Sequence, residues 1–223
     1  MITSQNDTRE LERSSHATKA KRVLNAGSGP KSTRRLSGLF DAAGWQEIRF
    51  DVDPTVQPDV VGSMTNLHTH FDARSFDAVW SSHSLEHLHS HEIPLALKEF
   101  QRVLKPDGYA LITCPDLETV MSLFLEHGSD HVVYRSAVGP ITPLDMMFGH
   151  SPSIASGNVH MAHNSGLTSA RLGDLLLRAG FTEAITKRQG FDLWALALME
   201  NADRNAIKRR LQAVGLDFSE DFA

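Results

Sequence analysis

The chain has 223 residues, of which 41% are hydrophobic and 22% charged, so it can bury a core of domain size and is unlike a disordered polypeptide. Its formal net charge of −5 argues against a protein that binds nucleic acid through a general basic surface. The single cysteine, Cys114, cannot form an internal disulfide, and the longest purely apolar run, residues 193–199, is far too short to span a bilayer. We therefore expect a cytoplasmic protein, monomeric or homodimeric, that acts neither on nucleic acid nor at a membrane.

From residue 21 onward, short apolar segments alternate with segments of helical periodicity. The pattern predicts a strand at 22–27, a helix between Pro30 and Gly44, strands at 47–54, 59–63 and 75–82, a helix ending at Leu104, and a strand at 109–116. Strands that alternate with helices in this way predict a doubly wound α/β sheet with right-handed crossovers.

The alternation stops between Leu117 and Gly166. A helix is predicted at 117–126, followed by an irregular segment rich in Gly, Pro and His at 139–166, which we interpret as a binding loop or lid. A helix at 168–180, strands at 181–189 and 191–199 and a helix near 204–214 complete the chain. We expect three parts: a flexible segment at 1–20, one domain at 21–200 with a lid insertion at about 117–166, and a C-terminal helix and tail at 201–223.

A glycine-containing turn, residues 25–32, joins the first predicted strand to the first helix. A phosphate-binding P-loop does not fit, because Pro30 and Asn25 stand where that motif needs glycine. The dinucleotide fingerprint is weakened by Ser32, which stands where its third glycine should be. A nucleoside without a pyrophosphate needs only Gly27 and Gly29, with a carboxylate at the end of the second strand for the ribose hydroxyls. Asp51, 24 residues after Gly27, is that carboxylate.

Several segments together carry a family resemblance: VLNAGSGP, FDVDP, GSMTNL, SFDAVWSSHSLEHL and LKPDGYALITCPD. Their order and spacing resemble class I S-adenosylmethionine-dependent methyltransferases, most of all the small bacterial type-11 group. The resemblance is close over residues 21–116 and continues at 163–181. It implies a Rossmann-like seven-stranded mixed sheet, mostly parallel with the last strand antiparallel, flanked by helices in a single domain with a lid insertion. It also implies transfer of a methyl group from S-adenosyl-L-methionine to a small-molecule O, N or S acceptor by in-line displacement, with S-adenosyl-L-homocysteine as product.

The resemblance also assigns residues to the cofactor. The methionine moiety would lie against the turn, Asp51 would bind the ribose, Val52 and Met64 would flank the adenine, and two residues after the fourth strand would face the sulfonium. The residues implied are Asn25, Ala26, Gly27, Ser28, Gly29, Asp51, Val52, Met64, Ser82 and His83. The chain departs from the family at Asn25 and Ser63, where the family usually or often has Asp.

The chain contains twelve histidines, six of them between His68 and His91. His83, Glu86 and His87 spell H-x-x-E-H, which on a helix would bind zinc with the carboxylate as base. That motif needs a helical context and a third ligand further along the chain, whereas here it starts at the end of a strand. We therefore predict a substrate-facing pocket without a metal. A zinc-dependent hydrolase and a nicotinamide-dependent oxidoreductase remain the alternatives.

The carboxyl ends of central strands are where α/β sheets place their ligands. We therefore expect His83 or His87 to serve as general base for the acceptor, with Glu86 orienting it. The acceptor would also be contacted by Asp116, which could instead cap the following helix, and by histidines of the lid. The lid histidines are His150, His160 and His163.

Overall fold

The computed structural model describes residues 20–31, 39–40 and 44–218. Within them, nine strands are formed: β1 (Lys21–Ala26), β2 (Trp45–Asp51), β3 (Val60–Val61), β4 (Phe76–Ser82), β5 (Leu104–Pro115), β6 (Tyr134–Ser136), β7 (Gly139–Ile141), β8 (Glu183–Gln189) and β9 (Asp192–Leu198). The α-helices are α1 (Ile93–Val103), α2 (Leu117–His127), α3 (Pro143–Phe148), α4 (Ser151–Ala155), α5 (Ser169–Ala179) and α6 (Arg204–Gln212). Single turns of 3-10 helix lie at Pro54–Val56, Leu85–His87 and Val159–Met161, and a longer one lies at Met64–Thr69.

Seven of these strands form one sheet in the order β3-β2-β1-β4-β5-β9-β8. The first five in that order pair in parallel. The last strand, β9, inserts between β5 and β8 and is antiparallel to both. The predicted seven-stranded mixed sheet with an antiparallel last strand is therefore confirmed.

Apolar side chains fill both faces of the sheet. On one face α1 buries Ile93, Ala96, Leu97, Phe100 and Val103, a stripe at helical spacing, and α5 buries Leu172 and Leu176. On the other face Leu211 of α6 packs with Leu39, Phe40 and Phe218 against β4 and β5. These two packed layers hold the strands in place. The loops at the carboxyl ends of the strands are positioned as a result. No helix among the residues described is long and apolar enough to cross a bilayer.

One predicted boundary needs correction, and two predictions, one of them the flexible segment at 1–20, fall largely on residues without a description. Strand β5 begins at Leu104, not 109, and a shift of its register against β4 accommodates the Pro106–Gly108 segment that suggested a turn. The helix predicted between Pro30 and Gly44 lies mostly outside the described residues. Of that segment, Leu39 and Phe40 are described and both are buried.

The lid is more regular than the sequence predicted. Strands β6 and β7 pair as a small antiparallel hairpin, and α3, α4 and a 3-10 turn follow in the segment expected to be irregular. The helix α3 forms because Thr142 and Asp145 cap it reciprocally and Pro143 suits its first turn. The prediction of an irregular segment was therefore wrong: its Gly and Pro residues separate short elements.

Candidate active site

The strands β1, β2, β4 and β5 end at the same edge of the sheet, which gathers most of the residues predicted to form the site. At the end of β1 the chain turns through Gly27 and Gly29, whose φ angles are +74° and +59°, a region that favours glycine. The amides of Gly27 and Ser28 donate to the carbonyl of Phe50 at 2.9 and 3.1 Å. The turn is thus fastened to β2 by its own main chain.

Asp51 ends β2, and its carboxylate is held by the main chain on both sides. Its Oδ2 accepts the amide hydrogen of Gly29 at 2.8 Å, and its Oδ1 accepts that of Asp53 at 3.0 Å. The two bonds fix the carboxylate at the mouth of the glycine turn. Val52 beside it is half exposed, so an apolar surface lies next to this carboxylate.

Arg49 is a residue of this site that the sequence analysis missed. Its side chain is buried, and its guanidinium donates to the carbonyl oxygens of Gly29, Val56 and Gln57, the last at 2.6 Å. Arg49 therefore ties the glycine turn to the loop after β2. The available signal was an arginine placed directly before Phe50 in an otherwise apolar strand end.

Ser84 is the second missed residue, and it closes the turn from the side of β4. Its hydroxyl oxygen lies 3.2 Å from the carbonyl oxygen of Gly27 and 3.0 Å from that of Ser82. A Cβ at Gly27 would lie 2.1 Å from the Ser84 hydroxyl oxygen and 3.5 Å from the terminal methyl of Met64. Met64 therefore lies next to the turn, and Ser84 allows only glycine at position 27.

The remaining predicted cofactor residues are placed less directly. Asn25 donates from its side-chain amide to Glu47 at 2.7 Å, so this amide is engaged along β2. Ala26 is fully buried in the core. Ser82 is buried at the end of β4.

His83 follows β4 in a left-handed conformation, with φ of +49°, which is unusual for a residue other than glycine. Its amide donates to the carbonyl of Thr113 at 2.8 Å, and this bond holds the turn. Its Nδ1 lies 3.4 Å from Glu86 Oε1 and its Nε2 lies 3.3 Å from Asp192 Oδ1. Burial opposes protonation, but the two carboxylates outweigh it and raise the pKa of His83 to about 9.

This geometry does not fit the helical zinc motif. His83 is left-handed, and helical structure begins only at the 3-10 turn Leu85–His87. Both ring nitrogens of His83 face carboxylates, so the ring has no free lone pair to share with His87. The H-x-x-E-H arrangement, with two histidines as ligands and the carboxylate as base, is not formed here.

Glu86 is 2% exposed, and neither of its carboxylate oxygens has a hydrogen-bond partner among the residues the structure describes. Burial alone would raise the pKa of this carboxyl. Contact with His83 and the nearby rings of His87 and His163 outweigh that effect and lower the pKa. Glu86 is therefore a buried anion that depends on the histidines around it.

The rings of His87 and His163 each direct their Nδ1 atom towards a main-chain carbonyl oxygen. The Nδ1 of His87 lies 3.0 Å from the carbonyl oxygen of Ala162, and the Nδ1 of His163 lies 2.9 Å from that of Met146. A carbonyl oxygen only accepts, so each Nδ1 carries the hydrogen and each Nε2 keeps a lone pair. The rings lie 5.0 Å apart, and one donor atom from each of Glu86, His87 and His163 falls within 4.8 Å of the others. Burial lowers the pKa of His163 and outweighs the opposing charge of Glu86.

The lid reaches this cluster through main-chain bonds. The amides of Asn164 and Ser165 donate to the carbonyl of Glu86 at 2.8 and 3.1 Å, and the Asn164 side chain donates to the carbonyl of His87 at 2.8 Å. Of the three lid histidines, His163 alone joins the cluster. The Nδ1 of His150, the residue before α4, lies 2.7 Å from the hydroxyl oxygen of Ser153. Hydrogen bonds from Thr55 lower the pKa of the exposed Asp53 carboxyl, and the nearby His160 adds to that effect.

Asp116 caps α2. Its Oδ2 accepts from the hydroxyl of Thr119 at 2.6 Å and from the amide of the same residue, and lies 2.8 Å from Arg188 Nε. Its other oxygen is buried and has no hydrogen-bond partner within the described part of the chain. The structure thus shows the capping role that the sequence left open.

Comparisons with known proteins identify a matching domain and a shared fold. A family described as a methyltransferase domain matches residues 32–112. No curated protein matches the chain significantly.

Solved structures share the fold at low sequence identity. The PH0226 protein of Pyrococcus horikoshii OT3 is 17% identical with a TM-score of 0.55, over 82% of this chain and 84% of that protein. A SAM-dependent methyltransferase of Archaeoglobus fulgidus is 14% identical with a TM-score of 0.53, over 80% and 86% of the two chains. The trans-methyltransferase CalH in complex with SAH is 17% identical with a TM-score of 0.52, over 81% of this chain and 52% of that one. The chain thus spans about half the length of CalH.

The matched residues include β2, β3, β4 and most of β5, whereas β1 and nearly all of the glycine turn precede them. The sheet has the antiparallel last strand expected of the fold. Residues 32–112 therefore match a methyltransferase domain, and the chain shares the Rossmann-like fold of the solved structures named above.

Proposed function

We propose that the protein transfers a methyl group from S-adenosyl-L-methionine to a small-molecule acceptor. The observation that carries the proposal is the carboxylate of Asp51, fixed by the amides of Gly29 and Asp53 at the end of β2. A carboxylate at this position of a βαβ unit suits the two hydroxyls of a ribose. Its fixed orientation removes the entropy cost that a mobile side chain would bring to binding.

The residues around Asp51 fit an adenosyl nucleoside. Gly27 and Gly29 have no side chains, so a ligand can approach their main chain closely. The exposed Val52 and the partly buried Met64 offer apolar contacts for an adenine. When bound, S-adenosylmethionine supplies a methyl group already activated on a sulfonium. The protein then has to align the acceptor with it and exclude water, which can contribute on the order of 7–11 kcal/mol of the barrier.

We place the acceptor in the narrow cleft between the end of β5 and the lid. The cleft is lined by Glu86, Pro115, Val120, Met146, Met147 and His163, among others. Its walls combine apolar side chains with a carboxylate and an imidazole, which suits a small molecule that has one polar group to be methylated. The lid main chain is bonded directly to the Glu86 carbonyl, and this supports an enclosed site of limited size.

Within the predicted catalytic set, the geometry favours different roles for the two histidines. His83 has both ring nitrogens against carboxylates, so we assign it to positioning Glu86. His87 keeps a free lone pair on Nε2 because its Nδ1 donates to Ala162. His87 is therefore the histidine that we propose to act on the acceptor group.

Isothermal titration calorimetry with S-adenosylmethionine tests the proposal. We expect the unchanged protein to bind the cofactor and Asp51→Ala to bind it at least tenfold more weakly. Asp53→Ala is the matched control: it removes an exposed carboxylate two residues away that only caps the turn at 54–56, and we expect it to change affinity less than twofold. Absence of binding by the unchanged protein, or equal affinities of the two variants, would contradict the proposal.

A further inference from the structure

We propose that Glu86, His87 and His163 bind a divalent transition-metal ion, with Zn²⁺ preferred, at the acceptor end of the site. The inference rests on the proposed function for the position of the acceptor. It revises the expectation from the sequence that no metal is bound here. The third ligand that the H-x-x-E-H pattern lacked comes from the lid, and His83 is not one of the ligands.

The two imidazoles are already oriented as metal ligands are. A histidine that binds a metal usually donates its other ring N–H to a carbonyl or carboxylate, which fixes the tautomer and directs the free lone pair. His87 does this with Ala162 and His163 with Met146. A general base needs one such lone pair, whereas this cluster brings two imidazoles close to one carboxylate. An ion bound here takes the His87 lone pair, so His87 then acts on the acceptor through the ion and not as its general base.

The carboxylate of Glu86 is the second, independent observation. It is 2% exposed and lies in the same donor set, yet no described residue forms a hydrogen bond with either oxygen. His83 approaches one oxygen at 3.4 Å, longer than a good charge-assisted bond. A buried carboxylate that a single imidazole approaches at this distance is poorly compensated, and coordination of a cation is one of the few arrangements that would stabilise it further.

The spacing of the donor atoms suits a small ion. They lie within 4.8 Å of one another, and ligands of a tetrahedral zinc site lie roughly 3.3 Å apart, so the widest pair would close by at most about 1.5 Å. Two histidines and one glutamate form a donor set of catalytic zinc sites, which keep a fourth position open. Glu86 and His163 both line the cleft in which we place the acceptor.

An ion in this position narrows the acceptor to a hydroxyl or a thiol. Either group can occupy the open position, and coordination lowers its pKa so that it releases its proton to solvent near neutral pH. The oxygen or sulfur then forms a bond to the methyl carbon. The carbon–sulfur bond of the sulfonium breaks with its electron pair remaining on the sulfur of the S-adenosylhomocysteine product.

Titration of the metal-free protein with Co²⁺, followed by visible absorption, and with Zn²⁺, followed by calorimetry, tests the site. We expect one ion per chain and a Co²⁺ spectrum typical of four-coordinate nitrogen and oxygen ligation. His163→Ala should lower the affinity at least tenfold. His89→Ala/His91→Ala is the matched control, because these exposed, stacked rings lie 5.8 Å apart nearby, and it should bind the ion like the unchanged protein.

Binding that is absent in the unchanged protein, unaffected by His163→Ala, or abolished by the control variant would overturn the inference. The buried Glu86 is a poor first target because its replacement can disturb folding, whereas His163 is partly exposed. S-adenosylmethionine binding by metal-free His163→Ala shows that the variant is folded. The same measurement separates the two proposals: cofactor binding without metal binding leaves the proposed function standing and removes only the metal site.

Discussion

The guanidinium of Arg49, in β2, donates a hydrogen bond to the main-chain oxygen of Gly29, in the turn that follows β1. The same guanidinium holds the carbonyls of Val56 and Gln57. Asp51 completes the arrangement from the same strand by accepting the amide of Gly29. Side chains of β2 therefore bind both the N–H and the C=O of Gly29, and these bonds fix the conformation of the glycine turn without a ligand.

Replacement of Arg49 by Met should disorganise this turn. The change keeps most of the side-chain volume but removes every donor to three carbonyl oxygens, and hydrogen bonds from charged groups contribute about 1.5–3 kcal/mol each. We expect the free energy of unfolding to fall by about 2–4 kcal/mol, because part of the loss is recovered by water. S-adenosylmethionine affinity should fall at least fivefold. Urea denaturation and calorimetry measure the two effects.

Arg49→Lys serves as the matched control for charge. It retains the cation but cannot reach three carbonyls with one planar group, so its stability should lie between those of the unchanged protein and Arg49→Met. Full stability of Arg49→Met would show that the observed bonds contribute nothing to the turn.

Gly27→Ala should be among the most damaging small substitutions in the site. The added Cβ would lie 2.1 Å from the Ser84 hydroxyl oxygen and 2.5 Å from its Cβ, and a φ of +74° is unfavourable for alanine. We expect a loss of roughly 2 kcal/mol or more in stability and the loss of cofactor binding. Thermal denaturation and cofactor titration measure both.

The contact with Ser84 can be separated from the backbone strain by a double variant. Gly27→Ala/Ser84→Gly removes the colliding atoms and leaves only the unfavourable φ, so it should recover part of the stability. A double variant no more stable than Gly27→Ala would mean that the collision with Ser84 is not the cause.

Local sequence determined which parts of this site could be predicted. The glycine turn, Asp51 and the strand ends lie within short segments whose spacing has one structural meaning, and the structure places them together. Arg49 and Ser84 were not predicted because their hydrogen-bond partners are main-chain oxygens of other loops, and a pattern of side chains does not identify such partners. The mostly parallel sheet with its antiparallel last strand followed from the alternation of elements and the family resemblance.

The lid could be predicted least. His150, His160 and His163 look equivalent in sequence, and the choice among them depends on the path of a segment that packs on Glu86 and His87 through its own main chain. The close approach of Gly149 to Met161, where a Cβ would lie 1.9 Å from the carbonyl oxygen, is part of that path and is non-local as well. Spacing alone therefore could not identify His163 as the third member of the cluster.

The lid should also respond to pH through Asp145. Its carboxylate accepts from the amide and hydroxyl of Thr142 at 3.0 and 2.7 Å and from the amide of Ser151 at 3.1 Å, so it joins the start of α3 to the start of α4. Burial is the largest single effect and opposes ionisation, but these bonds together outweigh it and lower the pKa of Asp145. A carboxyl with a lowered pKa stabilises the fold above its ordinary titration range, near pH 4, and loses that effect as the pH falls through its folded value.

Asp145→Ala should loosen α3 at neutral pH by about 1 kcal/mol, the usual value of a capping interaction, which corresponds to roughly fivefold faster amide exchange when exchange follows local opening. Hydrogen exchange of peptides covering residues 142–163 measures this. The difference between the variant and the unchanged protein should shrink as both are taken below pH 4, after correction for the intrinsic exchange rate. Asp130→Ala, which removes an exposed carboxylate bonded to Ser129, should leave exchange in these peptides unchanged. Equal exchange in Asp145→Ala and the unchanged protein at neutral pH would mean that α3 is held by its packing and not by its cap.

Asp145→Ala should also weaken Co²⁺ binding, though less than His163→Ala does, because the carbonyl of Met146 in α3 accepts a hydrogen bond from the ring of His163.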